Sequence, residues 1–342
     1  MNCCGGSLKR GTRIRPEGEM NRSILVSRVP MNSRSILRSQ IMGWAAVSIS
    51  TLTACFWAVW GINENFHEGW YFVSVWQNLG LLIVQYLSAM LVLMLMSVVA
   101  VCWPRVALPM LGIVALAIGW FFRGGHSAIE LVVLPLLMLG ALYFFGRPRP
   151  RNWALTLLIT LPPLTAVICG VYPGWQALHR QDDGNYGMRR VEGNGVTLVW
   201  APEGPGWPAR GTSWENARQS CALLTRDGHV LADVPQHVWR LPTVEEAVRS
   251  LVYRGRNAGG TWDSTLQHAE YQVTPDKDSP LWKVHSMVIY WWTDTEIDSS
   301  HAYYITNNGA VHAHTKRSAG DYTAFRCVCD PSEQSVVSVG QH

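Results

Sequence analysis

The chain has 342 residues, 48% hydrophobic and 15% charged, which is too little charge for an ordinary soluble protein and too much for one lying wholly in lipid. The net charge of +4 is uneven: eight Lys/Arg oppose two acids in residues 1–40, five oppose three in 41–178, and fifteen oppose nineteen in 179–342. A basic excess confined to a short arm excludes a folded nucleic-acid-binding face, so no nucleic-acid partner is expected and a two-part protein is.

The arm, 1–40, carries Lys9, Arg10, Arg13, Arg15, Arg22, Arg28, Arg34 and Arg38. It has no apolar periodicity and reads as disordered, with Met20 and Met31 as alternative starts. Cys3 and Cys4 fall in no recognised lipidation motif.

About 20 apolar residues cross a hydrocarbon layer of roughly 30 Å as a helix. Five stretches meet or approach that length, at residues 41–62, 79–102, 106–122, 128–145 and 153–172. The third and fourth are short and joined only by residues 123–127, which predicts a tight helical hairpin, with a re-entrant pair as the alternative. Short-loop Lys and Arg fix orientation. The arm, Arg105, and the cluster Arg147, Arg149 and Arg151 lie on one side, whereas the first loop carries Glu64 and Glu68 and the third only Arg123. Five crossings then put the N-terminus in the cytoplasm and everything after Tyr172 outside a bacterial inner or plasma membrane. Trp60, Trp70, Trp76, Trp103, Trp120, Trp153 and Trp175 sit near segment ends, where indole rings favour the headgroup level. The first segment is too long for a cleavable signal and has no small-x-small site before Asn63, so it reads as retained.

Inside the membrane part, Glu130 and the flanking His126 are the ionisable residues, both near an interface, and the segments read as an anchor. Pro162-Pro163 predicts a kink in the fifth segment. Cys55, Cys102 and Cys169 read as small packing residues.

From about residue 179 the composition becomes that of one globular domain. Residues 195–200 alternate as a strand, and Pro202, Gly204, Pro205, Gly206 and Pro208 form a loop. Thr212 and Glu215 have capping-box spacing and start a helix whose apolar stripe is Trp214, Ala217, Cys221 and Leu224. Thr243 and Glu246 start a second, with Val244, Ala247, Val248, Leu251 and Val252 as the stripe. After Gly259-Gly260 come short strands, including a hairpin from 301–306 through Asn307-Asn308-Gly309 to 310–314, and a closing strand over 323–328. Two helices followed by an antiparallel meander give an α+β domain.

The order Trp214-Glu-x-Ala217 with Cys221, Trp239-Arg240-Leu241-Pro242-Thr243, Trp292-Thr-Asp-Thr295, Ala302-Tyr-Tyr304, Asn308-Gly309 and Phe325-Arg326-Cys327-Val328 resembles the formylglycine-generating-enzyme-like (sulfatase-modifying-factor-like) group. Within it, the match is to bacterial DUF1566 (Lcl C-terminal-like) domains, over about residues 191–329, and implies a C-type lectin-like fold. The membrane half has no part in the resemblance. The resemblance implies a Cys221–Cys327 disulfide, closing a loop of about 105 residues and contributing on the order of 4 kcal/mol, in a compartment where disulfides persist. Cys329 is then left over as a candidate redox thiol.

Enzymes of that group use two further cysteines to bind copper; the corresponding positions here are Tyr322 and Arg317, and no cysteine lies between Cys221 and Cys327. Formylglycine generation is therefore not expected. Metal alternatives remain: His312 and His314 alternate on one strand face with His301 or Tyr303 across the hairpin, and Asp294, Glu296 and Asp298 alternate as a hard-cation set would. No resident cofactor is expected, with zinc or calcium as the candidates. The Glu-Pro-Asn and Gln-Pro-Asp triplets of calcium-dependent lectins are absent. Trp214, Trp239 and Trp292 are expected in the core, and the loop residues Trp207, Trp262 and Trp282 are candidates for a ligand surface.

The resulting expectation is an all-α membrane region of about five helices (41–175), an α+β C-type lectin-like extracytoplasmic domain (179–330) and a flexible tail (331–342). Its function reads as noncatalytic binding of an extracytoplasmic protein or glycan beside membrane lipid. The alternatives are a divergent enzyme of the same group with a non-copper site, and a membrane sensor or transporter with the outer domain as a lid.

Overall fold

The structure, a computed structural model, describes residues 33–122 and 129–332. The expectations for the rest of the arm, Cys3, Cys4, Arg123, His126 and most of the tail lie outside the described residues.

The first half is helical: α1 (Ser33–Glu68), α2 (Val75–Leu81), α3 (Ser88–Cys102), α4 (Pro104–Phe121), α5 (Leu134–Phe145) and α6 (Arg151–Leu178), with π-helical turns at Leu82–Tyr86 and Ile129–Val133. Among the described residues, three helices, Arg34–Glu68, Pro104–Phe121 and Arg151–Leu178, are long and apolar enough to cross a membrane. A fourth span results if Val75–Tyr86 and Ser88–Cys102, bent by 58°, count as one; Ile129–Phe145 is apolar but shorter. The bend falls at the π-turn, where one extra residue breaks the i to i−4 bonding and Leu87 N–H instead reaches the Leu82 carbonyl at 2.8 Å. α6 runs on as helix through Pro162-Pro163, where a kink is expected, and through Pro173.

Small residues let these helices approach. A Cβ on Gly61 of α1 would lie 2.3 Å from the Tyr86 carbonyl oxygen, and one on Gly174 of α6 would lie 3.4 Å from the Phe66 ring. At one end of the bundle, Arg147 N–H donates to the Ser39 carbonyl (2.8 Å) and Trp44 Nε1 to the Arg149 carbonyl (3.0 Å), which gathers Arg34, Arg38, Arg147, Arg149 and Arg151 at that end. The sheet domain sits at the other. Trp60, Trp76, Trp103, Trp120, Trp153 and Trp175 are exposed, whereas Trp70 is buried at a positive φ of 58°.

The second half has helices α7 (Trp214–Leu223) and α8 (Val244–Ser250) and eleven short strands. β1 (Arg189–Glu192), β2 (Thr197–Trp200) and β11 (Val328–Cys329) form one antiparallel sheet with β2 central. A second sheet has the order β10 (Thr323–Ala324), β7 (Tyr290–Glu296), β8 (His301–Thr306), β9 (Val311–Thr315), parallel only between β10 and β7. Two small ribbons, β3 (Val252–Tyr253) with β4 (Arg256–Asn257) and β5 (Thr261–Asp263) with β6 (His268–Glu270), complete it.

The expected closing strand is thus two strands in two sheets, because Phe325-Arg326-Cys327 crosses between them, with Cys327 N–H donating to the Gly206 carbonyl. α7 starts one residue later than its spacing predicts. Ser213 Oγ accepts from Asn216 N–H (3.4 Å), since Thr212 is held in the loop by its N–H on the Thr323 carbonyl and its own carbonyl on Trp292 Nε1. The Thr243–Glu246 capping box forms as expected. So does the hairpin, whose turn needs Gly309 at φ 88°. A stack of Trp200, Trp291 and Trp282 fills the core, the last two 3.8 Å apart and parallel within 14°.

Candidate functional site

Most motif residues turn out to hold the domain together. Cys221 and Cys327 form a disulfide, joining α7 to the crossing segment. Arg240 and Glu246 meet through two hydrogen bonds of 2.7 Å, and Glu246 also accepts from Thr243 N–H, so the Arg-Leu-Pro-Thr turn ties the start of α8 to β11 through Arg240–Val328 backbone bonds. Burial alone would raise the Glu246 pKa, but the Arg240 and Thr243 hydrogen bonds hold it below the ordinary carboxylate value.

Arg326 is fully buried without a carboxylate. Its guanidinium donates to the carbonyls of Ala201, Pro280 and Leu281 at 2.8–2.9 Å and lies 3.6 Å over the Trp207 ring. This overturns Trp207 as ligand surface. Trp282 falls with it, being stacked in the core, and Trp262 is half-buried against the edge of Tyr303. Trp214, Trp239 and Trp292 are buried as expected. Cys329 is buried in the same core cluster as the bridge and takes no part in it.

The metal candidates do not converge. Among the described residues, no three His, Cys, Asp or Glu are grouped to hold an ion. His312 and His314 do share a face of β9, but they pack on Tyr304, and His314 also stacks on Trp292. Asp294 and Glu296 face Arg218, Glu296 also accepts from Lys316, and Asp298 accepts from Ser300 and His301 in its own turn. Arg218 and Lys316 thus neutralise Asp294 and Glu296, while Asp298 is held by the hydrogen bonds of its own turn.

What the structure does bring together lies at the junction of the two halves. α1 ends with Asn63, Phe66 and His67 on one face, and α6 ends with Pro173 and Gln176 followed by Arg180, again at helical spacing. Opposite them, the sheet domain presents Thr274-Pro275-Asp276 and the hairpin residues Asn307 and Asn308. Together they line a polar cavity of about 280 Å³. Asn307 is only 4% exposed, and its Oδ1 has no partner.

The junction is held shut around the cavity. Arg180 Nε bonds Asp276 at 3.0 Å, His67 Nε2 and Tyr290 Oη are 2.8 Å apart, and the Arg254 guanidinium lies 4.7 Å over the Trp175 ring. Burial, with Glu68 and Glu64 near, pushes the Tyr290 phenol above its ordinary value, so it stays protonated and able to donate. The linker after α6 is laid down by Asp278, which accepts from Gln181 N–H and Arg254 N–H, both at 2.7 Å. Next to it Lys277 is fully buried, its ammonium on the Ser286 carbonyl and pushed by burial well below the ordinary lysine value.

Sequence reasoning missed this site. Its only signal was polar residues at helical spacing in the last turns of the first and fifth apolar segments, and the rest of its lining comes from two distant loops of the sheet domain.

No protein-family model matches the chain, and no curated protein or solved structure matches it at a significant level.

Proposed function

We propose that this chain is a membrane-anchored extracytoplasmic recognition protein. It crosses a bacterial inner or plasma membrane five times, with its N-terminus in the cytoplasm, and displays a noncatalytic domain of the DUF1566 kind within the formylglycine-generating-enzyme-like group, with a C-type lectin-like fold. The basic residues gathered at the bundle end opposite the sheet domain support that orientation. The Cys221–Cys327 bridge, buried against Trp214 and Trp239, supports the family reading.

The observation that carries the function is the cavity between the halves. It is concave and polar, and is walled partly by membrane helices and partly by the outer domain. A domain merely tethered outside needs no such site, whereas a binding module seated on its anchor does.

Complementation of a deletion strain tests this. Asn308→Trp, at an exposed turn position, fills the cavity and is expected to abolish function while membrane insertion and the Cys221–Cys327 bridge persist. His312→Ala, His314→Ala, Cys329→Ala and Glu130→Gln are expected to complement. Full function of Asn308→Trp, or loss through the histidines, Cys329 or Glu130, refutes the reading in favour of an enzyme or a transporter.

A further inference from the structure

The polar cavity has an apolar neighbour. A groove of about 320 Å³ runs down the bundle between Ile62, Leu82, Leu87, Ala166, Val167 and Val171, and Phe66 lines both spaces. Phe66 thus borders both a polar cavity at the outer ends of α1 and α6 and an apolar groove along the same two helices. Gly170 and Gly174 of α6 line the groove, packed against Ile62 and Phe66 of α1. A head-and-tail ligand fits both spaces at once; a soluble ligand would leave the groove unused.

The chemistry of the chamber defines the head. Its two formal charges, Arg180 and Asp276, cancel in a 3.0 Å ion pair whose side chains are 7% and 14% exposed. The remaining polar lining consists mainly of carboxamides, Asn63, Gln176, Asn307 and Asn308, with Thr274 and His67. Carboxamides each present both donors and an acceptor, which suits a dense array of hydroxyl groups rather than a net charge. With Arg180 and Asp276 already paired to each other, the lining offers no unpaired cation to a phosphate.

We infer that the cleft binds a membrane lipid with an uncharged glycosyl headgroup, the sugar hydroxyls in the carboxamide chamber and an acyl chain in the groove beyond Phe66. This rests on the reading of the protein as a binding module.

The test uses the full chain in phosphatidylcholine nanodiscs, titrated with a glucosyl diacylglycerol, with phosphatidylglycerol of the same acyl chains, and with free glucosylglycerol. Asn63→Ala and Gln176→Ala are combined as the variant, because Asn63 is exposed and Gln176 half-buried on helix ends, and the retained Cys221–Cys327 bridge and melting temperature check its fold. The expected result is saturable binding of the glucosyl lipid, weakened tenfold or more in the variant, with the free head binding at least tenfold more weakly than the lipid. Equal or tighter binding of phosphatidylglycerol, lost in the same variant, overturns the glycosyl assignment while leaving the cleft a binding site. Free glucosylglycerol binding as tightly as the lipid overturns the tail. Glucosyl lipid binding that is absent, or unaffected by the variant, overturns the inference, and the complementation of Asn308→Trp separately decides whether the cleft binds anything.

Discussion

Replacing both Cys221 and Cys327 by alanine removes a bond whose strength lies mainly in the unfolded chain. The bridge spans 106 residues, which the chain-entropy relation converts to about 4.8 kcal/mol at 25 °C. The closed loop contains α8 and every strand of the four-stranded sheet, so an unfolded domain without the bridge regains freedom over most of its length. Against a typical domain stability of about 5–15 kcal/mol, that is a third or more of the total. Both sulfurs are fully buried, so the substitution also leaves a small void. Urea unfolding of the full chain in nanodiscs, followed by tryptophan fluorescence, reads the difference, and reduction of the unaltered protein supplies a control with the same side chains. A loss of about 4–5 kcal/mol is expected in both. A loss below about 1 kcal/mol in both would refute the loop-entropy reasoning, showing that the unfolded chain is already compact or the bridge absent.

Three further outcomes follow from the packing. Glu246→Gln keeps the N-cap acceptor but removes the charge facing Arg240; since the Glu246 pKa is depressed from 4.5, the stability gap to wild type, about 1–2 kcal/mol, is full above that pH and vanishes as pH falls through the lower folded value, which parallel urea titrations between pH 3 and 7 check. Gly61→Ala forces a methyl to within 2.3 Å of the Tyr86 carbonyl, so the helices must part at a cost of about 1–3 kcal/mol, read as a lower melting temperature in nanodiscs. Trp282→Ala is expected to cost about 3–5 kcal/mol, as for a core aromatic, whereas half-buried Trp262→Ala costs far less; equal effects in urea unfolding would contradict the assignment of Trp282 to the core.

The parts legible in the sequence were those written locally. Apolar length marks α1, α4 and α6; the capping box marks α8; the Asn-Gly turn marks the hairpin. Local signals misled where distant groups decide. Thr212 has the right spacing for a cap, but Thr323 and Trp292 bind its backbone, which passes the role to Ser213. Residues 323–328 read as one strand, yet they serve two sheets, because the disulfide and the Arg326 hydrogen bonds sit at the crossing. Trp207 lies in a Pro/Gly loop that suggests exposure, and only the buried Arg326 guanidinium, an uncommon occupant of a core, explains why it is inside. The cleft was the least legible feature, as its lining is ordinary residues, four of them amides, from four separated segments, joined only when the sheet domain docks on α1 and α6.

Docking is the claim on which the cleft depends, and hydrogen exchange of the full chain in nanodiscs tests it most directly. In the docked protein, Gln181 N–H and Arg254 N–H are held by Asp278, Asp183 N–H by Ser279, and Ser279 N–H by the Gln181 carbonyl. Slow exchange is predicted for Gln181, Asp183 and Ser279, whose bonds join the linker to the sheet domain, with faster exchange of Gln181 after Asp278→Ala. Exchange of residues 179–183 at the rate of an unstructured chain in the unaltered protein would mean a domain swinging on a free tether, with no cleft to bind anything.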